Sequence, residues 1–218
     1  MINIVNPNVF LRFFIGTSFF LRIFATYFKY RVMKRIALTI ACCFCILSMS
    51  AQVDKKYGIG AVPVVNGRVT FERDVNGLNA DSQEVFAKAM KWVEKRFVKP
   101  TVLKAKIVET DNEAGRIIVN AEEYITFRDK FFVLDRSRIN YWLEISAKDN
   151  GYTMKMTRIS YWYEEERDGG QKFSAEEWIT DEECFNEKQT RLLRSTGKFR
   201  VKTIDLIDNL SSELKDRF

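Results

Sequence analysis

The chain has 218 residues, and its 35 Lys and Arg residues against 29 Asp and Glu residues give a formal net charge of +6. Six of those cations precede Gln52, where no acidic residue occurs, which leaves 29 cations and 29 anions in the remainder. This balance gives no long-range attraction to nucleic acid, and the absence of histidine excludes Ser-His-Asp and Cys-His nucleophile pairs and the commonest zinc sites.

An export signal is predicted at residues 33–51. Lys34 and Arg35 precede an apolar stretch of about a dozen residues that ends in small residues, the three-part pattern of a secretory signal peptide. We expect cleavage after Ser50 or Ala51, and a protein that is periplasmic, outer-membrane-associated or secreted. Membrane contact is then limited to the signal before cleavage.

Three of the four cysteines, Cys42, Cys43 and Cys45, lie inside this signal, so only Cys184 remains after cleavage. A single thiol forms no internal disulfide. Lipidation within the signal is the alternative to plain cleavage, although no cysteine has the usual upstream pattern. We interpret Cys184 as a partly buried structural thiol, since a nucleophilic role needs a neighbouring base and a lowered pKa.

Residues 1–32 precede a signal that is complete without them, and we expect them to be a spurious or poorly ordered upstream extension. The alternative is an additional membrane or interfacial helix, in which Arg12 and Arg22 would each cost about 2.5–3.5 kcal/mol to insert. Residues 52–66 are predicted to form an N-terminal linker, and residues 67–218 a single domain.

The domain begins with a predicted strand over residues 67–74, where polar and apolar residues alternate. Asn79 or Asp81 can cap the helix that follows, and Asp81 has capping-box spacing to Glu84. The helix is expected to run to about Phe97, because Pro100 prevents its continuation.

Four strands are predicted next, over residues 103–109, 116–128, 138–148 and 152–163. The second and third show clear alternation, and Asn150-Gly151 is a strong hairpin signal between the last two.

The last strand contains a change of phase. A turn centred on Asn150-Gly151 would pair Ala147 with Met154, and continuing that register would place Arg158 on the core face. The apolar residues resume at Ile159, so we predict a β-bulge at about Thr157-Arg158.

The tail is expected to contain an exposed loop at residues 164–170, a helical turn at residues 174–178 and a helix over residues 203–217. The element order β-α-β-β-β-β-α indicates an α+β fold, in which an antiparallel sheet has one face covered by two helices.

Three segments within this order are distinctive: Gly67 to Glu72 before the helix, Lys91 to Phe97 inside it, and Asn112 to Ile118 opening a strand. Over residues 67–163 the chain resembles the domain of unknown function with a TBP-like (TATA-binding-protein-like) fold found in exported proteins of Bacteroides-type bacteria. The resemblance implies the fold and export, and it supplies no catalytic residues.

Carboxylates are plentiful, and Glu123 is unusual because it shares the apolar phase of its strand. It occupies either a position at a sheet edge or at the end of the core, or a polar position that lines a pocket between sheet and helix. Glu123, Glu144 and Glu166 are the candidates for a carboxylate-dependent hydrolase acting on envelope or dietary polymers. The other acidic clusters are explained as turn residues, so we predict no metal site and no cofactor.

Aromatic residues give the remaining signal. Tyr124 and Trp142 lie on the strand phase opposite the core, and Trp162 lies on the last strand. They could stack on a ligand, or they could form cross-strand pairs that only stabilise the sheet. We interpret the chain as a non-catalytic binding module for an unknown protein, peptide or glycan, with Tyr124, Trp142, Trp162 and Glu123 as candidate contacts, and the hydrolase as the alternative.

Overall fold

The computed structural model of the chain describes residues 53–130 and 133–218. The predicted signal and upstream extension lie outside the described residues, so export stays a prediction. The strands are β1 (Val64–Val65), β2 (Arg68–Val69), β3 (Phe71–Asn76), β4 (Val102–Asp111), β5 (Arg116–Lys130), β6 (Val133–Lys148), β7 (Gly151–Tyr163) and β8 (Gln171–Ser174). The helices are α1 (Ser82–Arg96), α2 (Asp181–Cys184) and α3 (Arg194–Lys215), with a 3₁₀ turn at Lys55–Tyr57.

The main sheet is antiparallel and has the strand order β3-β7-β6-β5-β4. β8 pairs with the second half of β7, beyond the end of β3. β1 and β2 form a separate two-stranded hairpin. Two short strands, β1 and β8, were not predicted, and the predicted first strand is interrupted at Thr70, whose backbone N–H donates to the carbonyl of Pro63 instead.

One face of the sheet is covered by helices. α1 packs on β6, and α3 packs on β3 and β5. Strands β5 and β6 alternate between buried and half-buried positions, as a sheet with one covered face requires. The predicted α+β arrangement is confirmed.

The core fills the space between the sheet and these two helices. Its buried strand residues include the alternating apolar series of β5 and β6: Ile117, Val119, Ala121, Ile125, Ile139, Tyr141, Leu143 and Ile145.

The first helix follows the prediction closely. The Asp81 side chain caps it by accepting a hydrogen bond from the Glu84 N–H at 2.8 Å. Val85, Ala89 and Val93 recur at intervals of four and are all buried, which fixes the face that α1 presents to the sheet.

The last helix begins at Arg194, nine residues before the predicted start at residue 203. The added turns bury Thr196, Gly197 and Arg200, which are not apolar, and only one large apolar residue, Phe199, so they show no clear apolar period.

Arg200 explains why the N-terminal segment belongs to the domain. Its guanidinium is fully buried and donates to the carbonyl of Tyr57 at 2.9 Å, to the carbonyl of Ile179 at 2.9 Å and to the Asp181 carboxylate at 2.7 Å. It also donates to the carbonyl of Gly58. Residues 53–66, expected to be a linker, are therefore part of the folded unit, and the 3₁₀ turn at Lys55–Tyr57 packs on α3.

The predicted bulge in β7 is confirmed. Asn140 pairs with Ser160 but Trp142 pairs with Thr157, so Arg158 and Ile159 together face one residue of β6. Arg158 has a positive φ of 53°, so the backbone departs from the extended conformation at the bulge. The predicted turn register was wrong by two residues, because Lys148 pairs with Gly151 and the turn is formed by Asp149 and Asn150. The shift is even, so every side chain keeps its predicted face.

The segment between β8 and α3 is mostly irregular. A turn covers residues 175–179, near the predicted helical turn, and α2 follows it. Cys184 at the end of α2 is buried, as predicted. No helix within residues 53–130 or 133–218 is long and apolar enough to cross a membrane.

Candidate ligand-binding face

The helices leave the other face of the sheet open, and four strands align their side chains there in a row. Register pairs Tyr124 of β5 with Arg138 of β6, Arg138 with Trp162 of β7, and Trp162 with Lys172 of β8. Aromatic and cationic side chains thus alternate across the sheet. We call Tyr124, Arg138, Trp162 and Lys172 the aromatic–cation row.

Contacts within the row are close enough for cation–π attraction. The Arg138 guanidinium carbon lies 4.7 Å from the Trp162 ring centroid, and the Lys172 ammonium lies 4.5 Å from it. At the other end, the Arg136 guanidinium carbon lies 3.8 Å from the Tyr124 ring centroid. Tyr124 and Trp162 are therefore half-buried among cations and not freely exposed, as their strand phase alone suggested.

Glu165, in the loop after β7, holds one end of the row. Its carboxylate accepts a hydrogen bond from the Tyr124 hydroxyl at 2.7 Å and forms an ion pair with Arg138. Burial alone would raise the pKa of Glu165, but the Tyr124 and Arg138 contacts outweigh it and lower the pKa. The same hydrogen bond raises the pKa of the Tyr124 hydroxyl. The carboxylate is therefore ionised at neutral pH.

The same loop fixes the Trp162 ring. The indole Nε1–H donates to the carbonyl of Gly169 at 2.8 Å. Gly170 has a φ of +71°, and a Cβ added there would lie 2.7 Å from the Trp162 Nε1 atom. Only glycine fits this close approach without moving the ring or the loop.

A cleft of about 480 Å³ lies beside the row. Its floor is the next row of the sheet, in which Lys104, Glu122, Asn140, Ser160 and Ser174 pair in succession from β4 to β8. Further lining comes from residues that include Arg138, Trp162, Lys172 and Glu177. We call this space the row cleft.

A second cleft of about 450 Å³ lies on the other side of the row, under the loop of residues 164–170. Arg138 and Trp162 line both clefts and separate them. The Arg138 guanidinium also binds the Glu122 carboxylate at 3.2 Å. It therefore forms ion pairs with Glu122 of the row cleft and with Glu165 of the second cleft. Two carboxylates fix one guanidinium, which keeps this dividing wall in place.

Trp142 lies on the same open face but lines neither of these clefts. It is half-buried, and the guanidinium carbon of the bulge residue Arg158 lies 4.2 Å from its ring centroid. The prediction that Trp142 shares one contact surface with Tyr124 and Trp162 is therefore corrected. The strand register places Trp142 in a different row, beyond Asn140.

The prediction that Glu123 contacts a ligand is also corrected, because this residue lies on the helix-covered face and is 4% exposed. Its carboxylate accepts a hydrogen bond from the Tyr141 hydroxyl and forms an ion pair with Arg96 at 2.8 Å. It is neither at a sheet edge nor a contact of the open face. It is the buried partner of a helix arginine.

The carboxylates proposed for a hydrolase are not brought together. Glu123 lies on the covered face, Glu144 lies on the open face opposite Lys155, and Glu166 extends from the exposed loop. No group of three His, Cys, Asp or Glu side chains that could hold a metal occurs among residues 53–130 and 133–218. Burial raises the pKa of the Cys184 thiol, which agrees with a structural role.

Sequence reasoning found Tyr124 and Trp162 but missed Arg138, Lys172 and Glu165. Their signal is the strand register, because the four residues of the row become neighbours only once each strand is paired. Glu165 carries no comparable signal, since it lies in a loop among other acids.

A family model described as a domain of unknown function (DUF4468) with TBP-like fold matches residues 71–162. The crystal structure of a DUF4468 family protein from Bacteroides ovatus aligns with a TM-score of 0.68 and 29% identity, covering 75% of this chain and 94% of that one. A TBP-like protein from Parabacteroides distasonis aligns with a TM-score of 0.59 and 24% identity, covering 72% of this chain and 96% of that one. No curated protein gives a significant match.

These matches confirm the resemblance and the TBP-like fold that it implies. The matched segment contains three members of the aromatic–cation row, Tyr124, Arg138 and Trp162, and ends before the loop of residues 164–170.

Proposed function

We propose that this chain, whose residues 71–162 match the model of the DUF4468 family with TBP-like fold, is an exported, non-catalytic binding protein of the bacterial envelope. Its ligand is a hydroxyl-rich molecule of the glycan class, held in the row cleft. The observation that carries this proposal is the cleft itself, in which Trp162 stands beside a floor of polar strand residues.

The lining favours a polar ligand. Asn140, Ser160 and Ser174 supply amide and hydroxyl groups, and Glu122 and Glu177 supply carboxylate acceptors. Sugar hydroxyls both donate and accept hydrogen bonds, so they match a wall that contains both types of group. Trp162 adds one large apolar surface for the ring of a sugar.

Rigidity supports binding rather than a structural role alone. Trp162 is held by Gly169, Arg138 is held by two carboxylates, and Glu177 is fixed by the Ser174 hydroxyl at 2.9 Å. Side chains that are already ordered lose little further entropy when a ligand binds.

The electrostatics disfavour the hydrolase alternative at this face. A general acid needs a raised pKa at neutral pH, whereas the pKa values of Glu165 and Glu177 are both lowered by hydrogen bonds and, for Glu165, by Arg138. Glu123 is enclosed by Arg96 and Tyr141 and cannot reach a substrate on the open face.

Export is proposed from the sequence alone. Lys34, Arg35 and the apolar segment behind them have the pattern of a signal peptide, and the chain from Gln52 onward has balanced charge. Mass spectrometry of the native N-terminus tests this, since a mature chain that retains residues 10–30 would contradict it.

The binding proposal is tested on an oligosaccharide array and a peptide array, probed with the wild type, Trp162→Ala and Trp142→Ala. Each variant removes a half-buried tryptophan from the open face of the sheet, but only Trp162 lines the row cleft. We expect oligosaccharide signals that Trp162→Ala loses and Trp142→Ala retains. Binding confined to peptides would replace the glycan class by a peptide ligand.

A further inference from the structure

A second cleft lies among the helices, on the face of the sheet away from the row cleft. It has a volume of about 310 Å³ and lies between α1 and the C-terminal end of α3. Its lining consists almost wholly of cations and buried donors: Lys88, Lys91, Trp92, Lys95, Arg96, Lys99, Glu213 and Arg217. We call it the helix cleft.

The helix cleft carries a strong excess of positive charge. Six cations line it against one acid, Glu213. Lys88 is paired with Glu84 at 2.9 Å and Lys99 with Glu213 at 3.0 Å. Among the described residues, Lys91, Lys95 and Arg217 form no ion pair within 4.0 Å, so three of the six cations are not engaged by a carboxylate.

Buried donors without acceptors give a second, independent observation. Arg96 is 6% exposed and binds Glu123 through Nη2, but its Nη1 and Nε atoms have no hydrogen-bond partner among the described residues. The Nε1–H of Trp92, which is 2% exposed, also has none. Leaving buried N–H groups unpaired costs free energy, so such groups commonly mark the place of an acceptor.

Glu213 shows where that acceptor fits. One of its carboxylate oxygens lies 3.0 Å from the Lys99 ammonium and 3.4 Å from the Arg96 Nε atom, beyond good hydrogen-bonding geometry. Its side chain is 35% exposed and can turn toward solvent. The carboxylate therefore only partly satisfies the cations and can yield to a stronger anion.

We propose that the helix cleft binds a phosphate or sulfate group. A tetrahedral dianion carries more charge and more oxygens than a carboxylate, so it can accept from Lys91, Lys95 and the Arg96 guanidinium together. When the group enters, Glu213 moves aside and Arg96 keeps Glu123 through Nη2. This site does not depend on the proposed ligand of the row cleft.

The indole N–H of Trp92 provides a direct readout. The full chain has four tryptophans, so a ¹H–¹⁵N spectrum gives four indole signals, and Trp92→Phe assigns the one in the cleft. Inorganic phosphate and inorganic sulfate are titrated at constant ionic strength against chloride. We expect a saturable shift of the Trp92 signal, with the signals of Trp142 and Trp162 unchanged.

Charge variants separate a site from general screening. Lys95→Ala is expected to weaken binding by about fivefold or more, because one near cation is lost. Glu213→Gln is expected to strengthen it severalfold, because the internal competitor is neutralised. Lys188→Ala, which removes an equally exposed cation from the distant loop before α3, serves as the matched control and should have no effect.

The source of the group is distinguished by comparing inorganic phosphate with a sugar phosphate and with short-chain phosphatidic acid. A saturable shift of the Trp92 signal with any of these compounds supports the site, and the compound that binds most tightly identifies the source of the phosphate group. No saturable shift, equal weakening by Lys95→Ala and Lys188→Ala, or no gain from Glu213→Gln would overturn the proposal.

Discussion

Arg138 lies against Trp162 on the open face, with 4.7 Å between the guanidinium carbon and the ring centroid. The same guanidinium binds Glu122 of the neighbouring strand and Glu165 of the loop after β7. One side chain therefore positions an aromatic ring, a strand and a loop, and it separates two clefts.

Arg138→Lys keeps the charge but removes the planar fork that reaches two carboxylates. We expect ligand binding to weaken while the free energy of unfolding falls by about 1 kcal/mol or less, because the ion pairs are partly exposed. Urea unfolding and array binding measure the two effects. A loss of stability without a loss of binding would make Arg138 a structural residue.

Asp74 is expected to contribute to the loss of folding stability at low pH. Hydrogen bonds from Lys148, Asn76 and Thr153 lower its pKa from 3.8 to about 2. A carboxyl whose pKa is lowered by folding stabilises the protein above the unfolded pKa, and this contribution is lost as the pH falls toward the folded pKa. We expect Asp74→Asn to flatten the fall in stability between those two values.

Urea unfolding at a series of pH values measures this change. Asp129→Asn, at an exposed position of β5 without a side-chain hydrogen bond among the described residues, is the control. Identical pH profiles for the wild type and Asp74→Asn would contradict the prediction.

The buried pair of Arg96 and Glu123 predicts a non-additive response. Arg96→Met leaves an uncompensated buried carboxylate and should cost about 3–5 kcal/mol of stability. Adding Glu123→Gln removes that charge while an amide oxygen still accepts from Tyr141, so the double variant should recover much of the loss. Urea unfolding of both single variants and the double variant decides, and simply additive losses would contradict the account.

Two adjacent glycines in the loop after β7 form a matched pair. Both have positive φ, so alanine at either strains the backbone by about 1 kcal/mol. At Gly169 a Cβ meets nothing within 4 Å, whereas at Gly170 it meets the Trp162 ring nitrogen and the backbone. Only Gly170→Ala should therefore alter Trp162 fluorescence and ligand binding, and equal effects of the two would show that the contact with Trp162 is unimportant.

The elements that sequence could predict are those with a local signal. α1 has a cap at Asp81 and an apolar period, and the bulge before Ile159 is visible as a change of phase within one strand. The family resemblance and the one-sided sheet follow from the same patterns.

What the sequence could not predict depends on distant pairing. The start of α3 is hidden because Thr196 and Arg200 are buried polar residues whose partners lie elsewhere in the chain. The aromatic–cation row needs the register of four strands, and Glu165 needs the path of a loop. Glu123 was recognised as unusual, but its partner Arg96 was assigned no role.

The most direct test of the central claim is the dissociation constant of the oligosaccharide that binds best on the array, measured by calorimetry for the wild type, Trp162→Ala and Trp142→Ala. Loss of a central aromatic contact costs about 2 kcal/mol or more, which corresponds to about thirtyfold or more weaker binding by Trp162→Ala. Trp142→Ala should bind like the wild type, since Trp142 lies outside the row cleft. Unchanged affinity in Trp162→Ala, or a loss confined to Trp142→Ala, would contradict the assignment of the row cleft as the binding site.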